Sequence, residues 1–240
     1  MINCVVIGES WIASEVAGLL GVRAVTLEQA KNHRLGLRPV VIHADSCPDL
    51  DKPLEMWAWV LRTLIARCVF SNEHWIQLSL ADVLAGGNYK RPHRASDSIN
   101  PYELRGKASA SLEWGLASLR YPLTIVRSSL LYNDSPESLL GWANGIIAQG
   151  IGRVPADKFN PTPIKRFAGA IESLAMSRRL GIVHAACGEV ATYVDVVNFI
   201  ASVSGRDEPE LELDTKRLVN FSLTSSMKLG KWKDAMKEYL

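Results

Sequence analysis

The chain has 240 residues, 48% of them hydrophobic and 22% charged, with a formal net charge of +2. That balance excludes a disordered chain and predicts a packed core in one large domain, or in one domain with a small annex. A charge so near neutral, with no long run of Lys and Arg, argues against a nucleic-acid partner, and no apolar run reaches the ~18 residues that a membrane span needs.

The strand INCVVIG (2–8) comes first, a continuous apolar run closing on Gly8, as expected of a buried parallel strand. It lacks a basic leader, so no signal peptide is expected. WIASEVAGLLG (11–21) has helical apolar spacing and a Gly stop. VRAVTL (22–27) and RPVVIHA (38–44) are the next strands, separated by a short polar segment too brief for a further strand and helix. Residues 54–69 predict a long helix, 74–83 a strand, 104–119 a helix, 121–132 a strand and 139–150 a helix. Alternation of this kind implies an α/β fold, a Rossmann-like doubly wound parallel sheet with right-handed crossovers, spanning residues 1–150. Past that point come a Pro-rich loop (155–164), a helix, the short strand GIVHAACG, a second helix and an amphipathic tail. Residues 151–240 are therefore expected to form a small C-terminal α/β lobe, not fully separate, closing over the strand ends. Cys4, Cys47, Cys68 and Cys187 are scattered without a CxxC pair, and the histidines lack metal spacing. No metal site or disulfide framework is expected, and a reducing cytoplasm fits best.

Ligands of doubly wound sheets sit at the carboxyl ends of the strands. The first such end here is GESWIAS. A dinucleotide cradle needs glycines for a tight turn and for close approach of a pyrophosphate to the helix N-terminus. Only Gly8 remains, and Trp11 stands where a small residue belongs, while Ala13 keeps the packing role. Gly8, Ser10, Trp11 and Ile12 are thus the candidate cofactor residues of an altered cradle, or simply a strand-to-helix turn. Glu28 is the candidate ribose-binding acid, and Arg23 begins its strand, at the wrong end for a 2′-phosphate.

Several segments, taken in order, carry a resemblance. VVIHADSCPDLDK (40–52) looks like a VNAAAxTxVDK motif and IQLSLADVLAGG (76–87) like STDYVFDG. SDSINPYELRGKASASLE (96–113) looks like EDDxxxPxNxYGxxKxxGE, and LTIVRSSLLY (123–132) like ILRTSWVY. DKFNPTP (157–163) looks like DQxGxPT, and GIVHAACGEVATYVDVVNFI (181–200) like GxYHxxxxGxxSWYEFA. Together they resemble, nearly end to end, the dTDP-4-dehydrorhamnose reductase family, a sugar-nucleotide-binding branch of the extended short-chain dehydrogenases. The resemblance implies an NAD(P) cofactor, a catalytic Tyr and a Lys that lowers its pKa. Aligning Gly106 and Glu113 puts Arg105 at the Tyr and Ser109 at the Lys. A guanidinium stays protonated and cannot take over from a phenol, and Ser109 brings no charge. Leu80 replaces the supporting Thr and Arg62 the supporting Asn. Tyr102 and Lys107 are five apart, so they do not share a helix face as a shifted pair. Tyr/Lys reductase chemistry is therefore expected to be absent and NAD(P) not to be required, though its binding is not excluded.

The cleft candidates are His43, Asp45, Ser79, Asp82, Arg105, Arg127, Asp157 and Phe159. His43, with Asp45 on the same strand face, offers a general base or a structural hydrogen bond. Arg105 either clamps a carboxylate or phosphate, or pairs with Asp82. His43, Asp82 and Arg105 are the catalytic candidates. Trp57 and Trp59 face different sides of their helix, so that either one is core and the other presents a partner surface, or both simply fill the core.

Three functions stay open. One is a non-redox homologue: a pseudoenzyme that binds a small or anionic ligand, or an accessory subunit with a homo-oligomeric or enzyme partner, as in the regulatory subunit of methionine adenosyltransferase. Another is a repurposed cyclase, dehydratase or isomerase working by proton transfer. The third is an NAD(P)-dependent reductase of a sugar nucleotide or related carbonyl, with relocated catalytic groups.

Overall fold

The computed structural model describes residues 3–31, 40–44, 73–87, 89–119, 121–216 and 218–240. Its elements run β1 (Cys4–Ile7), α1 (Trp11–Leu19), β2 (Ala24–Val25), α2 (Leu27–Lys31), β3 (Val40–His43), β4 (His74–Leu80), a 3-10 turn (Ala81–Leu84), α3 (Leu104–Ala117), β5 (Leu123–Ser128) and β6 (Leu130–Tyr132). They continue with α4 (Leu139–Gln149), β7 (Ile151–Pro155), β8 (Lys158–Phe159), β9 (Pro161–Pro163), α5 (Ile164–Ser177), β10 (Gly181–His184), β11 (Ala191–Thr192), α6 (Tyr193–Val203), β12 (Glu210–Asp214) and α7 (Trp232–Lys237). The helix expected over 54–69, with Trp57, Trp59 and Arg62, lies outside the described residues, as do Asp45 and His33.

Six strands form one sheet in the order β10-β5-β4-β3-β1-β2, and every neighbouring pair is parallel. The apolar runs alternate faces as the strand period requires. Val6, Ile42, Ile76, Val126 and Val183 pack with α1 and α5. Val5, Ile7, Val41 and Trp75 pack with Ala108, Leu112 and Leu116 of α3. Helices on both faces make the sheet doubly wound, as the sequence predicts. β2 is a two-residue edge strand, in keeping with the short segment that follows it.

The C-terminal part is interleaved with the sheet. α5 carries Ile164, Phe167, Ala168, Ile171, Leu174 and Ala175 on one face, a helical spacing that packs on Ile12, Ala13 and Val16 of α1. Ala13 is fully buried there, in its expected packing role. β10 then returns to pair with β5, so GIVH supplies the sixth strand of the main sheet. The remaining elements form a second cluster around Phe159, Val196, Ile200 and Trp232. α6 opens with a capping box: Thr192 Oγ1 accepts from Asp195 N at 3.2 Å, and the Asp195 carboxylate accepts from Thr192 N at 2.8 Å. The amphipathic tail docks on this cluster, where Trp232 meets Phe199 edge-on at 5.2 Å.

Two boundaries differ from the sequence expectation. The strand expected over 74–83 ends at Leu80, where the chain tightens into the 3-10 turn. The strand expected over 121–132 breaks at Ser129, because β6 leaves the main sheet to pair with β9. Both breaks fall at the carboxyl edge and open the space described next. Among the described residues, no helix is long and apolar enough to cross a membrane.

Candidate functional site

A cavity of about 760 Å³ opens at the carboxyl edge of the sheet. That size suits a small molecule. Four segments wall it: Trp11 and Ile12 at the start of α1, Leu80 to Asp82 with Arg105, the stretch from Ser129 to Leu139, and Asp157, Phe159, Tyr193 and Phe221 from the C-terminal cluster. Four of the sequence candidates for the cleft, Asp82, Arg105, Asp157 and Phe159, meet there, together with Trp11 and Ile12 of the cradle.

Asp82 and Arg105 form the charged centre of one wall. Arg105 Nε donates to Asp82 Oδ2 at 2.9 Å. Asp82 is 3% exposed, whereas about half of the Arg105 side chain is open. Burial pushes the Asp82 carboxyl up, and the Arg105 charge pulls against it. Its Oδ1 is buried, and the backbone N–H groups of Asp82 and Val83 also favour the charged carboxylate. Of the two roles open to Arg105, the pairing with Asp82 is the one adopted. Ser109, one turn further along α3, is buried and does not line the cavity. Tyr102 is 60% exposed and precedes α3, so it and Lys107 do not form a shifted pair in the cavity.

Gly106 makes the contact between α3 and the 3-10 turn possible. A Cβ there would sit 2.5 Å from the Asp82 carbonyl oxygen and 3.1 Å from Pro101 Cβ. Gly106→Ala is expected to push the helix off the turn, spread the Arg105–Asp82 pair and destabilise the fold by about 1–3 kcal/mol. Urea unfolding checks this, and an unchanged midpoint would show that the contact is slack.

The start of α1 presents a capped helix rather than a glycine cradle. Gly8 has φ of +152°, a conformation that glycine alone adopts readily. Ser10 then caps the helix, its Oγ accepting from Ala13 N at 3.2 Å. Trp11, 44% exposed, occupies the first helical position on the cavity wall, and Glu9 precedes the cap. A pyrophosphate seated on this helix end would compete with the Ser10 cap and meet both an indole and a carboxylate. Gly8 and Ser10 shape the turn without lining the cavity.

Three expected cleft residues lie elsewhere, on the α3 side of the sheet. His43 is 3% exposed, with Nδ1 3.1 Å from Gln77 Oε1 and its ring stacked on Trp75 at 6.1 Å. Ser79 is buried in register with Arg127. Arg127, 1% exposed, grips Glu113 through Nε at 3.1 Å and Nη2 at 2.6 Å. The physical reason is the strand period: His43, Ser79 and Arg127 alternate onto the face that α3 covers, whereas the cavity opens beyond the strand ends. Asp45 lies outside the described residues.

Sequence reasoning missed Tyr193, Phe221, Asn133 and Glu137 as lining groups. The Tyr193 ring packs on Phe159 at 4.7 Å and on Trp142 at 5.1 Å. Burial raises its phenol pKa, and Asp157 raises it further. The Thr192 capping signal marks where that helix begins, and so which residue meets the cavity first.

Six-stranded parallel sheet, flanking helices and carboxyl-edge cavity together define a Rossmann-like α/β fold. No protein-family model matches the sequence, and no curated protein matches it. Solved structures do. A dTDP-4-dehydrorhamnose reductase from Clostridium acetobutylicum superposes with a TM-score of 0.79 at 18% identity, covering 98% of this chain and 97% of that one. The dTDP-4-dehydrorhamnose reductase of Bacillus anthracis, solved in complex with NADP, gives a TM-score of 0.78 at 14% identity, covering 100% and 98%. The Bordetella bronchiseptica enzyme WbmG, in complex with NAD and UDP, gives a TM-score of 0.73 at 14% identity, covering 94% of this chain and 85% of that one. Such likenesses establish the fold, and they agree with the resemblance read from the sequence.

Proposed function

We propose that this chain is a non-redox relative of the extended short-chain reductases, binding a small molecule in the carboxyl-edge cavity as a ligand-binding pseudoenzyme or accessory subunit. The observation that carries this reading is the Arg105–Asp82 pair, closed at 2.9 Å on the cavity wall where the resemblance sets the proton-handling Tyr. A guanidinium does not give up its proton at neutral pH, so it cannot serve a carbonyl as a phenol does. Ser109 supplies no ammonium to depress a neighbouring pKa, and it is buried away from the cavity. At the other end, the Ser10 cap, Trp11 and Glu9 disfavour a pyrophosphate on α1. The neighbours' complexes with NAD and NADP are the reason to test the cofactor directly.

A second reading, a proton-transfer enzyme without cofactor, is favoured by Asp82 itself: its raised pKa moves it towards the range where a carboxyl both gives and takes protons.

Restoring the missing pair tests the first reading. Arg105→Tyr with Ser109→Lys is expected to show no NADPH oxidation with a 4-keto sugar nucleotide, because the start of α1 still opposes the cofactor. Turnover by that double variant would mean that the cradle is functional and only the proton relay was lost.

A further inference from the structure

We infer that an internal water molecule is built into the seam between α3 and the sheet, held by Arg127 and Ser79. It belongs there whatever the carboxyl-edge cavity binds. Ser79 of β4, Arg127 of β5 and His184 of β10 stand side by side in the sheet register, so their side chains share the face that α3 covers. All three are buried. Arg127 commits Nε and Nη2 to the Glu113 carboxylate. Its Nη1 is buried without a hydrogen-bond partner among the described residues, and so is Ser79 Oγ on the neighbouring strand. A guanidinium N–H left bare in a core is among the costliest polar groups to bury, because charge is desolvated with it.

The helix presents little bulk at this point. Gly106, Ser109 and Glu113 recur at helical spacing on one face of α3. Gly106 packs against the Asp82 carbonyl at one end of that line, and Glu113 grips Arg127 at the other. Between them lie the short side chains of Ser109 and Ala110, both buried.

The local charges select the occupant. Arg127 and Glu113 balance each other. His184, lowered to about 4 by burial and then by Arg127, is neutral at pH 7. A chloride would add an uncompensated charge to the core, and a cation would face the guanidinium. Nη1 needs an acceptor, whereas Ser79 Oγ can donate or accept. Water is small and neutral and meets both needs, as buried waters do between groups of this kind. One ordered molecule does not screen the ion pair as bulk solvent would, so Arg127 and Glu113 keep their buried character.

The test is a crystal structure of the native chain at a resolution that shows ordered solvent, with Ser79→Ala and Ser79→Val compared by urea unfolding. Density for one water is expected about 2.7–3.2 Å from both Arg127 Nη1 and Ser79 Oγ. Ser79→Ala removes one partner but leaves the space, so the water is expected to remain on Arg127. Ser79→Val fills the space with methyl groups, expels the water and leaves Nη1 bare. Its urea midpoint is therefore expected to fall below that of Ser79→Ala. A Ser79 that only packs predicts the reverse order, because valine is the better strand former and buries more apolar surface. Should Ser79→Val fail to fold, the density in the native chain and in Ser79→Ala decides. No density at that place, an ion in it, a side-chain partner on Nη1, or a valine midpoint at or above that of alanine would each overturn the inference.

Discussion

Arg127→Ala is expected to destabilise the fold by about 3–5 kcal/mol, among the largest losses from any single substitution. Arg127 and Glu113 are 1% and 2% exposed, joined by two hydrogen bonds between β5 and α3. Removing the guanidinium leaves a carboxylate in the core with no cation to balance it. Glu113→Ala strands the opposite charge and should cost a similar amount. Replacing both together, Arg127→Met with Glu113→Leu, should recover most of the loss, since a packed apolar pair needs no desolvation. Denaturant midpoints at unchanged slope report this. A small loss for the single variant would mean that water reaches the pair.

The second large effect is acid lability between about pH 6.5 and pH 4. His74 and His184 are fully buried and each is lowered to about 4. For His74 burial is the main cause, followed by the charge of Arg178; for His184 it is burial, then Arg127. Both must protonate more readily once unfolded, so the unfolded chain binds more protons across that window. Stability is therefore full above about pH 6.5 and falls as pH drops towards 4, by on the order of 3 kcal/mol for each histidine. Asp82 works in the opposite sense, because its raised pKa lets the folded chain take up a proton early and so offsets part of the loss. Urea unfolding at a series of pH values reads the slope. A profile flat from pH 7 to pH 5 would show that neither histidine is held neutral.

The same buried polar groups explain how far the sequence could be read. Apolar runs at strand length, alternating with helical spacing, suffice for the parallel sheet, since both faces of β1, β3 and β4 are covered. The short interval between the second and third strands foretells the narrow edge at β2. The return of β10 to the main sheet has no such local sign. It is four residues long and pairs with β5 57 positions earlier, a contact chosen by packing alone. His43, Ser79 and Arg127 were read as cleft residues because they end strands. Which face each occupies depends on register, and the register turns all three towards α3. Arg105, Asp82, Asp157 and Phe159 were legible because motif order places them at the carboxyl edge. Tyr193 and Phe221 were not, because only the folded lobe carries them to the same wall.

The proposed non-redox role, in which the carboxyl-edge cavity does not take a nicotinamide dinucleotide for hydride transfer, is tested most directly by a titration of the native chain with NADPH, followed by nicotinamide fluorescence. The account predicts no saturable change in the emission and no oxidation when a 4-keto sugar nucleotide is added. Saturable binding followed by oxidation of the bound NADPH would contradict it.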